Sequence, residues 1–443
     1  MGRRRQSESL QIALNGRRVG WLTRASDGAQ RFEYAREWLD WPFAMPISLS
    51  LLLAEQVYTG SVVSAFFDNL LPDDEAVRAR IAARLGARGS DGFSLLSALG
   101  RDCVGALEFL STDASPQPPE TPRGEPLAEQ QIAERIRALA SVPLGLRGGD
   151  ETFRLSIAGA QHKTALLFHQ GRWMLPQRNT PTTHILKPQI GLVPTALGSV
   201  DMSSSVQNEH LCMRLAAALG LPVAETDILQ LDDDLLVLSI KRFDRQLDDH
   251  GRLLRIPQED FCQAMGVAPV LKYESDGGPG IQACLELLKS SDQPELDRRC
   301  FMRALLVFWL LGATDGHAKN FSLQLRPRGR FGLTPLYDIL STQWQHDLGQ
   351  IPRKAMRLAM AVGTKRRYRV ADILPRHFEQ TARKADFSIK DLREVMQDVV
   401  DAMPTAAAQI ESLANEHIPE AMVISILNAA DRRAELIGTY LKG

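Results

Sequence analysis

One apolar run constrains this chain more than any other segment. The run CFMRALLVFWLL, residues 300–311, has almost no polar face, so it predicts a helix that is buried on all sides. The next ten residues, GATDGHAKNF, carry four functional side chains: Asp315, His317, Lys319 and Asn320. A buried helix that ends in such a group is followed either by a polar turn or by a reaction centre, and the run alone leaves both open.

Composition excludes several classes of protein. The 443 residues are 44% hydrophobic and 24% charged, as in ordinary globular proteins, and the length favours two or three domains. A net charge of −1 gives no overall attraction to DNA or membranes. Five scattered cysteines without a Cys-x-x-Cys pair argue against a disulfide framework or zinc site and favour a reducing cytoplasm. The basic start MGRRRQSESLQ lacks a following signal-peptide apolar region, and no apolar run is long enough for a bilayer.

The order of the elements predicts an α+β chain with two lobes. Residues 8–112 form a small mixed subdomain, with a hairpin at Asn15-Gly16 and a helix that opens near Pro72 and ends at Gly86. A proline-rich connector, 113–130, leads to a β-rich lobe over 131–255. A lobe that we expect to be all-α follows over 256–443.

The β-rich lobe has its own turn signals. FRLSIAGAQHKTALLFHQGRWMLP predicts strands with a hairpin at Gln170-Gly171, and THILK predicts a short strand closed by Pro188. IGLVPTALGSVDMSSS is rich in Gly, Pro and Ser and is expected to be a loop, whereas VQNEHLCMRLAAALG predicts a helix that ends at Gly220.

Four polar residues have the order and spacing of a kinase. Asp315 and Asn320 have the Asp-x4-Asn spacing of the kinase catalytic loop, in which the aspartate accepts the substrate hydroxyl proton and the asparagine binds a metal ion. Asp338 ends an apolar segment and could be a second metal ligand, and Lys187 ends a strand upstream. Phosphoryl transfer uses such charges for positioning and neutralisation.

Each of these residues also has an ordinary structural interpretation. Asp315 or Asn320 could cap the next element, Asp338 could be the N-cap of a helix beginning at ILST, and Lys187 could simply end a strand. SIAGAQHK has one glycine and matches neither the glycine-rich kinase loop nor the P-loop. Glu209 could pair with Lys187 or face water. Only the ordered combination favours a kinase.

Longer motifs resemble one family. The runs SIAGAQHKTALL, TPTTHILKPQIG, RIPQEDFCQAMG, KYESDGGPGI, WLLGATDGHAKNF, LTPLYDIL and LPRHF, with FFDNLLPDD near the start, resemble the HipA family of bacterial serine/threonine-kinase toxins. The resemblance spans essentially the full length. It implies a two-lobed protein-kinase-like fold that uses ATP and Mg²⁺.

The resemblance also implies roles for individual residues. Asp315 would be the catalytic aspartate, Asn320 and Asp338 the Mg²⁺ ligands, and Ser156 the autophosphorylation site whose modification ejects the nucleotide loop. The implied nucleotide-binding residues are Ala158, Gly159, Ala160, Gln161, His162, Lys163, Lys187, Lys241, Arg242, Phe243, His317, Lys319 and Tyr337. Lys241 stands where the family more often has an acidic residue. Arg383 and Lys384 lie where the family touches operator DNA, although two adjacent basic residues are usually only solvated.

The implied partners are a HipB-like helix-turn-helix antitoxin dimer, operator DNA mainly through that antitoxin, and an aminoacyl-tRNA synthetase substrate, with glutamyl-tRNA synthetase first. Growth arrest and persistence would follow from phosphorylation of the synthetase. Two alternatives stay open: a corepressor subunit with weak catalysis, and a small-molecule phosphotransferase, which also uses Asp-x4-Asn loops.

Overall fold

The computed structural model describes residues 7–100, 105–139, 161–195, 198–414 and 417–443. Its first part is a five-stranded antiparallel sheet in the order β4-β3-β2-β1-β5, with helices packed against it. The elements are β1 (Glu8–Leu14), β2 (Arg17–Arg24), β3 (Gln30–Tyr34), α1 (Arg36–Leu39), β4 (Val57–Thr59), α2 (Ser61–Asp68), α3 (Glu75–Leu85), α4 (Gly92–Leu99) and β5 (Leu107–Ser111). We call this unit the N-terminal domain.

Local signals set the turns of the N-terminal domain. The predicted hairpin is confirmed: Asn15 and Gly16 both have positive φ, as the tight turn between β1 and β2 requires. The predicted helix is present but begins later than Pro72. The Asp74 carboxylate accepts the Val77 N–H as the N-cap of α3, and Gly86 ends the helix in the left-handed region.

The middle of the chain forms a six-stranded sheet in the order β12-β13-β9-β7-β8-β6. Strand β9, which carries Lys187, lies inside it between β13 and β7. The elements are β6 (Gly124–Pro126), α5 (Glu129–Ala138), β7 (Thr164–His169), β8 (Arg172–Pro176), β9 (His184–Pro188), β10 (Gly191–Thr195), β11 (Gly198–Met202), α6 (Ser205–Ala218), β12 (Thr226–Asp232), β13 (Leu235–Lys241), β14 (Arg245–Leu247) and β15 (Leu253–Arg255).

One expectation for this sheet region is wrong. The stretch expected to be a loop contains the two-stranded hairpin β10–β11, with Val193 opposite Val200. The Gly, Pro and Ser count misled because Val193 and Val200 pair across the hairpin, while Gly191 and Gly198 lie at the first positions of the two strands. The hairpin at Gln170-Gly171, the strand THILK and the helix up to Gly220 are confirmed.

The last part is mainly helical, with two small sheets that the sequence did not predict. Residues 300–311 lie inside α9. Ten of the side chains between Phe301 and Leu311 are buried in the largest hydrophobic core. The elements are β16 (Gln258–Asp260), α7 (Phe261–Ala264), α8 (Ile281–Leu288), α9 (Pro294–Leu311), β17 (Ser322–Leu325), β18 (Phe331–Leu333), α10 (Gln343–Asp347), β19 (Arg357–Val362), β20 (Arg367–Arg369), α11 (Pro375–Lys384), α12 (Ile389–Glu411) and α13 (Glu420–Lys442). We call residues 256–443 the helical lobe.

The N-terminal domain docks on the helical lobe through buried hydrogen bonds, which we call the docking seam. The Glu259 carboxyl group accepts bonds from the Ser48 hydroxyl (2.5 Å) and the Leu49 N–H (2.8 Å). Asn69 donates to the Val267 carbonyl oxygen at 2.9 Å. The seam therefore fixes the segment between α1 and β4 and the end of α2 beside the helical lobe. None of the helices described here combines the length and the hydropathy that a membrane-spanning segment requires.

Candidate active site

The loop after α9, residues 312–321, is held by its own backbone and by one amide side chain. Gly312 ends α9 with φ +66°, a conformation that favours glycine. A Cβ at Gly316 would lie 2.4 Å from the Phe308 ring, so only glycine fits there. Asn320 Nδ2 donates to the Asp315 carbonyl oxygen at 2.7 Å. That bond closes the loop across the Asp-x4-Asn spacing.

Asp315 points to the outside of this loop. Its side chain is 56% exposed, and its Oδ1 accepts a hydrogen bond from the Tyr273 hydroxyl at 2.5 Å. His317 is buried, lies with Nε2 3.8 Å from the same oxygen, and packs edge-on against the Tyr273 ring. Neither Asp315 nor Asn320 caps the following 3₁₀ turn, Ala318–Asn320, so the capping interpretation is wrong. An exposed carboxylate that accepts from a hydroxyl can do the same for a substrate hydroxyl.

His317 has an unusual environment. Its Nδ1 is buried and has no hydrogen-bond partner among the residues that the structure describes. Burial lowers the pKa of the imidazole, while the nearby Asp315 carboxylate opposes that shift. The ring is therefore neutral at neutral pH, and it orients Tyr273 by packing.

Three charged side chains meet between the sheet and the helical lobe, and we call them the cleft cluster. Lys187 on β9 contacts the Glu209 carboxylate of α6 at 2.7 Å and the Asp338 carboxylate at 2.6 Å. The expected alternative in which Glu209 faces water is wrong, since its side chain is 2% exposed. One ammonium group thus joins the sheet, the helix packed on it and the helical lobe.

The charges of the cleft cluster are unequal. Burial lowers the pKa of Lys187, but Asp338 and Glu209 outweigh burial and hold it above its usual range. Burial raises the pKa of Asp338, but Lys187 and Lys163 outweigh it and hold that carboxyl well below its usual range. Burial raises the pKa of Glu209 to about 7 against the attraction of Lys187. Asp338 therefore keeps its charge at neutral pH, whereas Glu209 takes up a proton as the pH falls through about 7.

Asp338 has a strained backbone. Its φ of +62° lies in the left-handed region, which non-glycine residues seldom adopt. Next to it, the Leu336 N–H donates to Pro222 and the Leu336 carbonyl accepts from Ala224. No helix begins at Asp338, so the N-cap interpretation is wrong. In this conformation the Asp338 carboxylate contacts Lys187.

Part of the implied nucleotide loop can be located. Gln161 Nε2 donates to the Pro188 carbonyl oxygen at 3.2 Å, one residue after Lys187. Lys163 is buried, and burial together with Lys187 lowers its pKa to about 8. His162 is exposed. Ser156, Ala158, Gly159 and Ala160 lie outside the described residues.

The remaining residues implied for nucleotide binding follow β13. Lys241 is 55% exposed and pairs with Glu225, whereas the Arg242 guanidinium is buried against Asp244 and Thr182. The Phe243 ring lies 6.0 Å from the Tyr337 ring, and the Tyr337 hydroxyl donates to the Lys319 carbonyl oxygen at 3.0 Å. This leaves two aromatic faces and the backbone after β13 near the loop of Asp315.

Two residues that contact this site were missed by sequence reasoning. Asp73 of the N-terminal domain pairs with Lys319 at 2.7 Å, and Tyr273 donates to Asp315. Both lie inside the motifs FFDNLLPDD and KYESDGGPGI, which carried the resemblance without a role. Those motifs were the available signal, because contacts across such sequence distances leave no periodic pattern.

Arg383 and Lys384 lie at the exposed end of α11, a helix that carries none of the site residues described above. Arg383 pairs with Glu379 of the same helix at 3.2 Å. A solvated helix end explains both residues, and DNA contact stays a prediction.

The donors present suit a hard divalent cation that brings its own ligands. Among the described residues, no three His, Cys, Asp or Glu side chains converge on a metal position. A charged carboxylate on Asp338 and an amide oxygen on Asn320, whose nitrogen is engaged with Asp315, are the donor types that Mg²⁺ accepts. Mg²⁺ usually keeps several waters and substrate phosphates beside one or two protein ligands, so the residues fit it.

A sheet-rich lobe, a helical lobe and a lysine–carboxylate cluster between them define the protein-kinase class. Residues 155–407 match the family described as HipA-like C-terminal domain, and residues 10–110 match that described as HipA N-terminal domain. The chain therefore belongs to the HipA family and is a kinase.

The matches to similar proteins cover most of this chain. The Sinorhizobium fredii protein Y4mE is 35% identical over 435 residues, which are 97% of this chain and 98% of that protein. The serine/threonine-protein kinase toxin HipA of Shewanella oneidensis is 29% identical, and the match covers 80% of this chain and 78% of that protein. A chain in the solved Shewanella oneidensis complex of HipA, HipB and operator DNA superposes with a TM-score of 0.80 at 24% identity, over 98% of this chain and 99% of that one. The two-lobed α+β fold is thus confirmed.

Proposed function

We propose that this chain is the toxin kinase of a toxin–antitoxin pair and transfers the γ-phosphate of Mg-ATP to a serine or threonine of a protein. The observation that carries the proposal is the cleft cluster, in which Lys187 binds Glu209 and Asp338 at 2.7 and 2.6 Å. A lysine held by a helix glutamate and facing a charged aspartate is the arrangement that positions ATP phosphates in protein kinases.

Each residue has a separate task in this proposal. Asp315 accepts the proton of the attacking hydroxyl, for which its exposure and its existing hydroxyl contact suit it. Lys187 contacts the phosphates and loses Asp338 as a partner when a cation takes that carboxylate. Asn320 and Asp338 hold Mg²⁺, which when bound neutralises charge on the phosphates. The side chain of Lys241 points away to Glu225, so an adenine contact at residues 241–243 falls to the backbone and Phe243.

The proposed substrate is an aminoacyl-tRNA synthetase, with glutamyl-tRNA synthetase tested first, and the outcome in the cell is growth arrest with persistence. The support is family membership together with the 29% identity to a protein described as a serine/threonine-protein kinase toxin. Autophosphorylation at Ser156 belongs to the same proposal. Two added negative charges there would repel the phosphates of ATP and open the nucleotide loop.

The proposed partner is a HipB-like helix-turn-helix antitoxin dimer, and the chain reaches operator DNA mainly through it. The observation that favours this assembly is the superposition, over 98% of this chain, on a structure solved with HipB and operator DNA. A net charge of −1 leaves the main DNA contact to the partner. A weakly catalytic corepressor is the second candidate function, and the same superposition favours it.

The test is transfer of radiolabelled γ-phosphate to a panel of aminoacyl-tRNA synthetases, each with and without its tRNA, beside the Asp315→Asn variant. We expect labelling of one synthetase and of Ser156 by the wild type alone. Absence of all labelling, with no ATP binding in Mg²⁺, overturns the kinase proposal. If a gel-shift assay with the antitoxin then still shows enhanced operator binding, the corepressor is the correct function.

A further inference from the structure

The N-terminal domain places an acidic side chain beside the loop of Asp315. Asp73 follows α2 and precedes α3, and its two carboxylate oxygens each bind a lysine of the helical lobe. Oδ1 lies 2.7 Å from Lys319 Nζ, and Oδ2 lies 3.0 Å from Lys272 Nζ. The Asp73 side chain is only 16% exposed and that of Lys319 only 6%. This ion pair is therefore built into the fold.

Lys319 connects this ion pair to the reacting groups. It directly precedes Asn320, and its carbonyl oxygen accepts the Tyr337 hydroxyl next to Asp338. Lys272 is likewise followed by Tyr273, whose hydroxyl binds Asp315. One carboxylate thus holds the two segments that carry Asn320 and the partner of Asp315.

Asp73 carries a charge and lies among other ionisable groups of the site. Burial raises the pKa of its carboxyl, but Lys319 and then Lys272 outweigh burial and lower it below its usual value, so the group is charged. The buried Asp260 carboxyl lies close enough to Lys319 for that charge to lower its pKa. The charge of Asp73 likewise acts to raise the pKa of Lys163. Arg80 of α3 also lies in range of His162. The segment of the N-terminal domain around Asp73 therefore lies along one side of the site.

Resting on the proposed function, we propose that Asp73 is a positioning residue of the kinase site. The N-terminal domain supplies the carboxylate that fixes Lys319 and Lys272, and through them the relative positions of Asp315 and Asn320. Asp73 touches no reacting atom in this account. Its consequence is that phosphotransfer by the two-lobed part of the chain depends on the docked N-terminal domain.

A purely structural role predicts something different. The docking seam holds the two units together through bonds that involve neither Lys319 nor Lys272, namely those of Glu259 and Asn69. If Asp73 only helps docking, its loss should resemble the loss of any seam bond. If it positions the loop, its loss should lower turnover in a protein that remains docked.

The experiment compares Asp73→Asn with Asp74→Asn in the full chain. Asp74 is a matched control, because it is the adjacent carboxylate and asparagine also serves as an N-cap for α3. We expect Asp73→Asn to reduce kcat about 10- to 100-fold through misplacement of the loop, with the KM for ATP changed less than about threefold. Asp74→Asn should match the wild type, and Asp73→Glu, which keeps the charge, should recover part of the loss. Asn69→Ala should lower Tm without that loss of kcat.

A second measurement reads the contact without activity. Acetylation of lysines by an N-hydroxysuccinimide ester, followed by mass spectrometry, should modify Lys319 faster in Asp73→Asn than in Asp74→Asn. Unchanged Lys319 reactivity overturns the inference, as does a kcat equal to that of Asp74→Asn or an equal loss in Asn69→Ala. A wild type that transfers no phosphate overturns the proposed function and the positioning role with it, while the acetylation result still reports on the ion pair.

Discussion

The cleft cluster and the docking seam both bury a glutamate, and the two glutamates have different partners. Glu209 faces the ammonium group of Lys187 at 2.7 Å, whereas the donors to Glu259 among the described residues are a neutral hydroxyl and a neutral N–H. Burial raises the pKa of both, to about 7 for Glu209 and to about 8 for Glu259. Charge is thus concentrated in the cleft, where phosphates would bind, and the seam works with neutral hydrogen bonds.

The largest expected effect tests whether the cleft depends on charge for both stability and catalysis. Lys187→Met leaves Glu209 and Asp338 without their shared cation, and breaking such a buried pair destabilises by about 3–5 kcal/mol. Phosphotransfer should also be lost. Chemical denaturation and phosphate transfer measure the two effects. Lys241→Met is the matched control, because its pair with Glu225 is exposed and worth at most about 1 kcal/mol.

The next effect separates catalysis from stability at the rim of the cleft. Asp315→Asn should lower kcat by about 10²- to 10⁴-fold, as loss of a general base does. The side chain is 56% exposed, so the unfolding free energy should hardly change. Single-turnover phosphate transfer and thermal unfolding check the two halves. A large fall in Tm would mean that Asp315 serves the fold.

The docking seam should show its neutrality as a pH dependence. The folded-state pKa of Glu259 is about 8, above its usual value of 4.5, so its stabilising contribution is complete below pH 4.5 and is lost as pH rises through 8. Between pH 6 and 8 this amounts to about 2–3 kcal/mol. Glu259→Gln keeps a neutral side chain and should remove that part of the slope. If the unfolding free energies of the wild type and Glu259→Gln change in parallel with pH, Glu259 is ionised in the folded protein and the prediction is wrong.

The smallest effect measures one seam bond. Ser48→Ala removes the hydroxyl that donates a hydrogen bond to Glu259. The unfolding free energy should fall by about 1 kcal/mol. Phosphate transfer should be unchanged, because this bond involves neither Lys187 nor Asp315. A fall in kcat comparable with that of the Asp73 variant would show that docking itself controls the site.

The sequence predicted the cleft better than the seam, for a physical reason. A visibly apolar segment of the sequence precedes each of Lys187, Asp315, Asn320 and Asp338, so their order along the chain indicated a kinase. The pairing of Lys187 with Glu209 was one of two open alternatives, and the structure confirms it. Asp73 and Glu259 act across about two hundred residues, and no local period marks such contacts.

Local composition also misled at one place. The hairpin β10–β11 was expected to be a loop because turn-forming residues outnumber strand formers there. Pairing in register along five residue pairs outweighed those weak preferences. The element type of a short segment is decided by its neighbours in space, which the sequence alone does not supply.

The left-handed backbone at Asp338 limits what evolution can place there. Among residues with a side chain, aspartate and asparagine tolerate that conformation best. Aspartate and asparagine codons differ by one base, so a single mutation can keep the shape of the chain while removing the negative charge that faces Lys187. A lineage that needs only the assembly has a short route away from phosphotransfer. Relatives with asparagine at this position would keep the fold and lack phosphotransfer activity.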